Sequence, residues 1–115
     1  MMAAIPNGVI AETVGSRGVV RVRGEVDLSW SQEVRRAILD ALASGHPVAV
    51  DLSAVDYIDS SGIAALVEGL QRARERRQPF VLVAVSAPVR AVLELARLDG
   101  VFTLAASADE AFAAP

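Results

Sequence analysis

Cysteine and lysine are absent from this 115-residue chain, and each absence removes a class of chemistry. Without cysteine there are no disulfides, no thiolate nucleophiles and no cysteine-based metal sites. All 11 basic residues are arginine, so no lysine is available for a Schiff base, a P-loop or a kinase active site. Few enzyme classes are compatible with these exclusions.

Histidine is nearly absent as well, because His46 is the only imidazole. A single histidine excludes metal sites built from several imidazoles. His46 stands in the segment Ser44-Gly45-His46-Pro47, whose composition favours a solvated turn over the position of a catalytic base. We therefore expect neither a bound metal nor a cofactor.

Long apolar runs and an excess of positive charge are also missing. Hydrophobic residues make up 53% of the chain, yet no apolar run approaches the roughly 20 residues that span a bilayer. A net charge of -3 argues against a general nucleic-acid binder. Residues 1–8 have no basic segment followed by an apolar stretch, so we expect no secretory signal. The expected location is the cytoplasm, with no membrane or nucleic-acid partner.

The hydrophobic periodicity predicts one α/β domain over residues 1–115. Strands are predicted at Val9–Val14, Val19–Glu25, Val48–Val50, Phe80–Val85 and Val101–Leu104. Helices are predicted to follow Ser29 with Gln32 as its capping-box partner, Asp59, Ser86 and Ser107, and to stop at Ser44-Gly45, before Pro79 and at Asp99-Gly100. After an N-terminal hairpin, strands alternate with helices. This order predicts a mixed sheet of four to five strands with helices packed against it.

The segment Asp59-Ser60-Ser61-Gly62 falls at the predicted first turn of the second helix. A hydroxyl at this place would lie near unpaired backbone N–H groups and the positive end of the helix dipole. Such a position suits a helix cap, and it also tolerates a phosphate. The residues alone leave two interpretations open, a structural N-cap and a phosphorylated switch.

Several segments, taken in order, resemble the STAS domain of bacterial anti-sigma factor antagonists. They are Gly24-Glu25-Val26-Asp27, then Val50-Asp51-Leu52 followed by Tyr57-Ile58-Asp59-Ser60-Ser61-Gly62, then Val83-Ala84-Val85-Ser86-Ala87-Pro88-Val89. The similarity spans nearly the whole chain and implies a single STAS-type α/β domain. One departure from the family pattern is Ala64, where many relatives carry a second glycine.

The resemblance implies a partner and a switch. The partner is an anti-sigma factor that is a serine/threonine kinase, and the unphosphorylated chain would capture it and free a sigma factor. Ser60 would be the phosphorylated residue, with Ser61 as the alternative acceptor, and a protein phosphatase would reset phospho-Ser60. The chain itself would not be an enzyme, because the phosphotransfer machinery belongs to the kinase. The expected partner-binding residues are Asp27, Asp59, Ser60, Ser61, Gly62 and Ile63.

Individual roles follow from the same resemblance. Asp59 is expected to orient the loop or cap the helix, and Gly62 to let another backbone approach closely. Asp27 is expected at the same end of the sheet as Ser60, either as a partner contact or as an ordinary loop carboxylate. Ile63 and Leu66 are expected to be partly exposed at the docking face, with core packing the favoured role of Leu66.

Three rival readings stay open. A phosphoaspartate receiver would use Asp51, but no acidic pair follows the first strand and no lysine is present. A serine hydrolase would need Ser60 with His46 as its base, and Asp-Ser-Ser-Gly is not the G-x-S-x-G elbow. The third reading keeps the fold without the switch, as a STAS scaffold or small-ligand-binding module in a signalling complex.

Overall fold

The computed structural model describes residues 7–112, which form one five-stranded sheet and four helices. The elements are β1 (Gly8–Val14), β2 (Arg17–Val26), α1 (Ser31–Ala43), β3 (Val48–Ile58), α2 (Ser60–Glu75), β4 (Phe80–Val83), α3 (Ala87–Leu95), β5 (Thr103–Ala105) and α4 (Ala108–Ala111). The strands lie in the order β1-β2-β3-β4-β5. The predicted mixed sheet with packed helices is confirmed.

Chain order and strand order coincide, so each strand lies beside its predecessor. β1 and β2 form the predicted antiparallel hairpin, in which Val14 pairs with Arg17 across a two-residue turn. Gly15 begins that turn with φ of +63°, a conformation that suits the tight turns whose twist matches the strands. The pairs β2–β3, β3–β4 and β4–β5 are parallel, and α1, α2 and α3 connect them in turn.

Apolar side chains form two clusters in the fold. The larger joins buried residues of the strands to those of α1, α2 and α3, with Ile38, Val50 and Leu82 fully buried at its centre. The smaller is formed by Ala49 and its neighbours on β4, which pack against α4. Successive residues of a strand face opposite sides of the sheet. Val50 belongs to the larger cluster and Ala49 to the smaller, so the two clusters lie on opposite faces of the sheet. Among the helices of residues 7–112, none is long and apolar enough to cross a membrane.

α1 and α2 come close together at Gly69. A Cβ atom at this glycine would lie 2.7 Å from Cγ2 of Ile38 and 2.9 Å from Cζ of Phe80. Arg35 and Glu68 link the same two helices at the surface through N–O contacts of 2.8 and 2.7 Å. The ion pair is half-buried and bidentate, so it fixes the two helices at the surface, while the close approach beneath it depends on the missing side chain at Gly69.

β3 is much longer than the sequence predicts. The strand expected at Val48–Val50 is fully buried there, but it continues to Ile58. Two shifts in its register against β2 interrupt the alternation of buried and exposed residues. Strands are recognised in a sequence by apolar and polar residues that alternate with a period of two. The second half of β3 lacks this alternation, so the sequence does not reveal it as a strand.

The later elements end or begin at other residues than predicted. β4 ends at Val83, because Ala84 adopts φ of +51° in the left-handed region and leaves the extended conformation. α3 ends at Leu95, before its predicted stop. β5 begins at Thr103 rather than at Val101, and it is the shortest strand. The order of the elements is as predicted, and only their boundaries differ.

Gly69→Ala is expected to lower the free energy of unfolding by about 1–3 kcal/mol, because the added methyl group overpacks the contact with Ile38 and Phe80. Helix propensity alone predicts the opposite sign, a gain of about 1 kcal/mol. Urea unfolding of both proteins measures the difference. Gly100→Ala is the matched control, since no atom lies within 4 Å of a Cβ at that position. Equal or greater stability of Gly69→Ala would contradict the close packing.

Candidate functional site

The ends of β2 and β3 project together beyond the rest of the sheet. β3 pairs with β4 only over Val48–Asp51, whereas it follows β2 as far as Ile58. Past that point the Asp59 N–H donates to the Val26 carbonyl at 3.0 Å. The loops that follow the two strands therefore lie side by side, and Asp27 is at the same end of the sheet as the start of α2, as predicted.

Asp59 is the N-cap of α2. Its Oδ1 accepts hydrogen bonds from the backbone N–H groups of Ser61 at 2.8 Å and Gly62 at 3.2 Å. The Ser61 hydroxyl donates to the same oxygen at 2.6 Å. The first turn of a helix has N–H groups without intrahelical partners, and Asp59 satisfies two of them. The prediction that Asp59 caps this helix is confirmed.

These hydrogen bonds lower the pKa of Asp59 from its ordinary value of 3.8. The Ser61 hydroxyl is the largest cause. Backbone N–H groups of Gly62, Ser61 and Leu28 act in the same direction, while desolvation by burial opposes them. Asp59 is therefore a carboxylate at neutral pH, and its negative charge lies at the positive end of the α2 dipole.

The two adjacent serines are held differently. Ser61 is half-buried, and its hydroxyl is engaged by Asp59. Ser60 is exposed at the first position of α2, and within residues 7–112 its hydroxyl makes no hydrogen bond. An approaching enzyme can reach the Ser60 oxygen without breaking a contact, whereas modification of Ser61 requires loss of the bond to the cap.

Asp27 organises the loop after β2. Its Oδ1 accepts the N–H of Ser29 at 3.0 Å and the hydroxyl of Ser29 at 2.5 Å. Its carbonyl accepts the N–H groups of Trp30 at 3.2 Å and Ser31 at 2.9 Å. The predicted capping box at Ser29 is therefore wrong. The Ser29 side chain turns back to Asp27, and α1 begins at Ser31 after Trp30, which makes no side-chain cap bond.

The other end of this loop is held by hydrogen bonds of Trp30, Glu25 and Asn7, to which the sequence analysis assigned no role in the loop. The Trp30 indole N–H donates to the Glu25 carbonyl, and the Glu25 N–H donates to Oδ1 of Asn7 at 2.8 Å. Trp30 itself is buried, with 7% of its surface exposed. Gly24 makes room for Asn7, because a Cβ there would lie 2.1 Å from the Asn7 oxygen. The loop is consequently fixed at both ends.

Two side chains at this end of the sheet are exposed although they are largely apolar, and the sequence analysis assigned neither of them a role. Leu28 is 76% exposed between Asp27 and Ser29, and Tyr57 is 50% exposed near the end of β3. The backbone N–H of Leu28 lies close enough to Asp59 to lower its pKa. The sequence signal for Leu28 was an apolar residue within an otherwise polar loop. The exposure of Tyr57 could not be recognised, because the register of β3 against β2 is irregular and its side chains do not alternate regularly.

Gly62, Ile63 and Leu66 are buried. Ile63 is 9% exposed and Leu66 1%, so the expected partial exposure is wrong, and core packing as the favoured role of Leu66 is confirmed. A Cβ on Gly62 would lie 2.6 Å from Cγ1 of Ile58 and 2.7 Å from Cγ1 of Val26. The glycine therefore lets α2 approach the chain's own strands.

The geometry does not assemble the rival catalytic sites. His46 precedes β3 and Ser60 follows it, so the two residues lie at opposite ends of a strand that spans roughly 35 Å. Asp51 lies within β3 and accepts the N–H and hydroxyl of Ser53 at 2.9 and 2.7 Å. Between residues 7 and 112, no three or more His, Asp or Glu residues are placed to hold a metal ion.

Comparison with known proteins gives concordant matches. A family model described as "Mlab, STAS domain" matches residues 11–105. The anti-sigma-B factor antagonists of Listeria monocytogenes and Listeria innocua are each 26% identical over 84 residues, which is 72% of this chain and 74% of theirs.

Solved structures share the fold over most of the chain. An anti-sigma factor antagonist from Mycobacterium paratuberculosis has a TM-score of 0.82 and 28% identity, covering 96% of this chain and 95% of that one. The anti-sigma factor antagonist SpoIIAA in its unphosphorylated form has a TM-score of 0.75 and 23% identity, covering 90% and 92%. The Bacillus SpoIIAA in its phosphorylated form has a TM-score of 0.71 and 22% identity, covering 90% and 96%.

Asp59→Ala is expected to lower the free energy of unfolding at neutral pH by about 1–2 kcal/mol, because α2 loses its N-cap. The pKa of Asp59 in the folded state lies below its ordinary value of 3.8, so the carboxylate contributes its full stabilisation above pH 3.8. This contribution to the free energy of unfolding is lost as the pH falls through the folded-state pKa. The deficit of the variant should shrink in acid. Denaturant unfolding over a pH series measures it.

Asp40→Ala is the matched control, because it removes an exposed carboxylate within α1 that caps no helix. We expect its effect on the free energy of unfolding to be small at every pH. A deficit of Asp59→Ala that stays constant from neutral to strongly acidic pH would contradict the assignment.

Proposed function

The chain belongs to the STAS domain family, and on that premise we propose that it acts as an anti-sigma factor antagonist. Its unphosphorylated form binds an anti-sigma factor that is a serine/threonine kinase, and a sigma factor is thereby freed. Phosphorylation of Ser60 ends the binding, and a protein phosphatase restores it. The names of the Listeria relatives and the phosphorylated form of SpoIIAA support this proposal.

The contrast between Ser60 and Ser61 carries the proposal. A kinase needs a hydroxyl that enters its active site, and the exposed Ser60 side chain meets that requirement. Ser61 donates its hydroxyl to the cap of α2 at 2.6 Å, so it serves the fold. The two interpretations of this segment are therefore compatible, because Asp59 and Ser61 form the cap and Ser60 is the proposed switch residue.

The proposed partner surface surrounds Ser60. It comprises Asp27, Asp59, Ser60, Ser61, Gly62 and Ile63, to which we add the exposed side chains of Leu28 and Tyr57. Ile63 and Gly62 are buried, so they act by setting the position of the first turn of α2. Leu28 projects from a loop that hydrogen bonds hold in place, and such a side chain loses little conformational entropy on binding.

Electrostatic repulsion and steric bulk explain how one phosphate would end the binding. A phosphoserine carries about -1.5 to -2 charges at neutral pH. The Asp59 carboxylate already accepts the N–H groups of Ser61 and Gly62, so a phosphate on Ser60 would add like charge beside it. A loss of about 1.4 kcal/mol lowers the affinity tenfold. A local change of charge is therefore sufficient.

The fold would stay intact through this cycle. The bonds that cap α2 run from Asp59 to Ser61 and Gly62, and none of them uses the Ser60 side chain. Ser60 would be a substrate in this scheme, with the catalytic groups and the nucleotide supplied by the kinase. We accordingly propose that the chain is a regulator without enzymatic activity of its own.

Ser60→Asp is expected to abolish capture of a small ATP-binding kinase that the wild-type protein retains from extract of the native cells, because the added carboxylate imitates part of the phosphate charge. Mass spectrometry identifies the retained proteins. Ser16→Asp is the matched control, since Ser16 is exposed in the β1–β2 turn at the opposite end of the sheet. It should retain the kinase as the wild type does.

Equal retention by wild type and Ser60→Asp would overturn the switch and favour a STAS scaffold. Absence of any kinase from the wild-type eluate would overturn the partner as well and favour a small-ligand-binding module.

Phosphate incorporation by the captured kinase should require Ser60. Ser60→Ala is expected to incorporate no phosphate, whereas Ser61→Ala should still be phosphorylated, although its weaker cap lowers its stability. Incubation with labelled ATP followed by peptide mapping distinguishes the two residues. Phosphate on Ser61 in the wild-type protein, or full incorporation into Ser60→Ala, would reassign the acceptor.

A further inference from the structure

Leu28 and Leu95 are the leucines of residues 7–112 that are mostly exposed, at 76% and 86%. A single exposed apolar side chain is normal on a protein surface and by itself indicates no function. The two residues differ in their surroundings. Leu95 is the last residue of α3, whereas Leu28 lies in the loop between β2 and α1, beside the residue that caps α2. Leu28 therefore borders the candidate site.

Hydrogen bonds fix the backbone on both sides of Leu28. The Asp27 carboxylate accepts the N–H and the hydroxyl of Ser29 at 3.0 and 2.5 Å. The Asp27 carbonyl accepts the N–H groups of Trp30 at 3.2 Å and Ser31 at 2.9 Å. The residue before Leu28 is thus bonded to the three residues after it, and the leucine side chain is held toward solvent.

Asn7 holds the strand end from which this loop departs. Its Oδ1 accepts the Glu25 N–H at 2.8 Å, and the Glu25 carbonyl accepts the Trp30 indole N–H. Gly24, with φ of +89°, leaves the space that the Asn7 side chain fills. The N–H and the carbonyl of Glu25 are therefore both engaged, and Asn7 supplies its bond from outside the loop.

Leu28 and Ser60 are linked through Asp59. The Asp59 N–H donates at 3.0 Å to the carbonyl of Val26, two residues before Leu28. The backbone N–H of Leu28 approaches the Asp59 carboxylate and lowers its pKa. Ser60 directly follows Asp59 and is exposed. A protein that reaches the Ser60 hydroxyl therefore also covers the Leu28 side chain.

Resting on the proposed function, we propose that Leu28 is the apolar anchor of the complex. It enters an apolar pocket of the anti-sigma factor kinase, and Asn7 is the residue that positions it. Burial of a mostly exposed leucine strengthens an interface, and a side chain that is already held in place loses little conformational entropy on binding. Ser60 then decides whether the complex forms, and Leu28 determines how long it lasts.

Leu28→Ala should raise the dissociation constant for the kinase about tenfold or more, chiefly through faster dissociation. The probe is the purified kinase that the wild-type protein retains from cell extract, and surface plasmon resonance measures both rate constants. Leu95→Ala is the matched control, because it truncates an even more exposed leucine at the end of α3. It should leave both rate constants unchanged. Thermal unfolding followed by circular dichroism checks that both variants are folded.

The kinetics of Ser60 phosphorylation by the same kinase give a second readout. Leu28→Ala should raise KM and leave kcat unchanged, because Leu28 binds the kinase without touching the reacting atoms. A variant that had merely lost its fold would not show this separation of the two constants.

Asn7 is tested by rescue and by a double-mutant cycle. Asn7→Ala removes the acceptor of the Glu25 N–H and should weaken binding of the kinase about twofold to tenfold. Asn7→Asp keeps an acceptor oxygen in that place and should restore the affinity. In the Leu28→Ala background, Asn7→Ala should cause no further loss, because the side chain that it positions is gone.

Equal affinity of Leu28→Ala and the wild type, or an equal loss in Leu95→Ala, would overturn the anchor and leave the proposed function standing. The positioning role of Asn7 would be overturned by a loss that is the same in both backgrounds, or by failure of Asn7→Asp to restore binding. A wild-type protein that retains no kinase would overturn the anchor together with the proposed function.

Discussion

The arrangement of the site depends on one carboxylate. Asp59 is joined to β2 through its backbone N–H, to the first turn of α2 through Oδ1, and to the Ser61 hydroxyl through the same oxygen. The bonds to Oδ1 are strongest when Asp59 is ionised, and the helix dipole favours that state. Ser60 is left as the exposed residue of a turn whose other polar groups are engaged. The accessibility of the Ser60 hydroxyl thus follows from the hydrogen bonds that its neighbours make with one another.

The position of the site depends in turn on the long strand β3. Because β3 extends beyond the end of β4, the start of α2 stands clear of the later part of the fold. β2 is the neighbour that accompanies it, so the loop with Asp27 and Leu28 is brought to Ser60. Residues from two separate parts of the sequence therefore share one surface without a long loop.

The sequence predicted the order of the elements because three of the four helices begin at a clear capping signal and α1 shows helical spacing of its apolar residues. Ser86 and Ser107 cap their helices as the capping pattern predicts, and Asp59 does the same. Prediction failed where a side chain had a choice of partner. Ser29 has the composition of an N-cap, but the nearby Asp27 carboxylate competes for its hydroxyl and moves the helix start to Ser31.

Burial within the site was also hard to predict. Gly62 and Ile63 lie in the segment that carries the resemblance, and both are buried because α2 rests directly on the strands. Their orientation follows from the crossing of α2 over Val26 and Ile58, which is a tertiary contact. The exposed Leu28 has the opposite origin, since hydrogen bonds within its loop hold it outward. The order of residue types along the chain therefore predicts neither the burial of Gly62 and Ile63 nor the exposure of Leu28.

The unequal size of the two apolar clusters has a consequence for the order in which the domain opens. α4 has four residues and covers little more than Ala49 and two valines of β4, and Arg17 holds it through Asp109 and through its position 5.5 Å from the centre of the Phe112 ring. Elements with so few buried contacts detach first. Such local opening would occur at the hairpin-turn end of the sheet, far from Ser60. The carboxy-terminal side can therefore accept a fused tag or a truncation while the opposite end of the domain stays assembled.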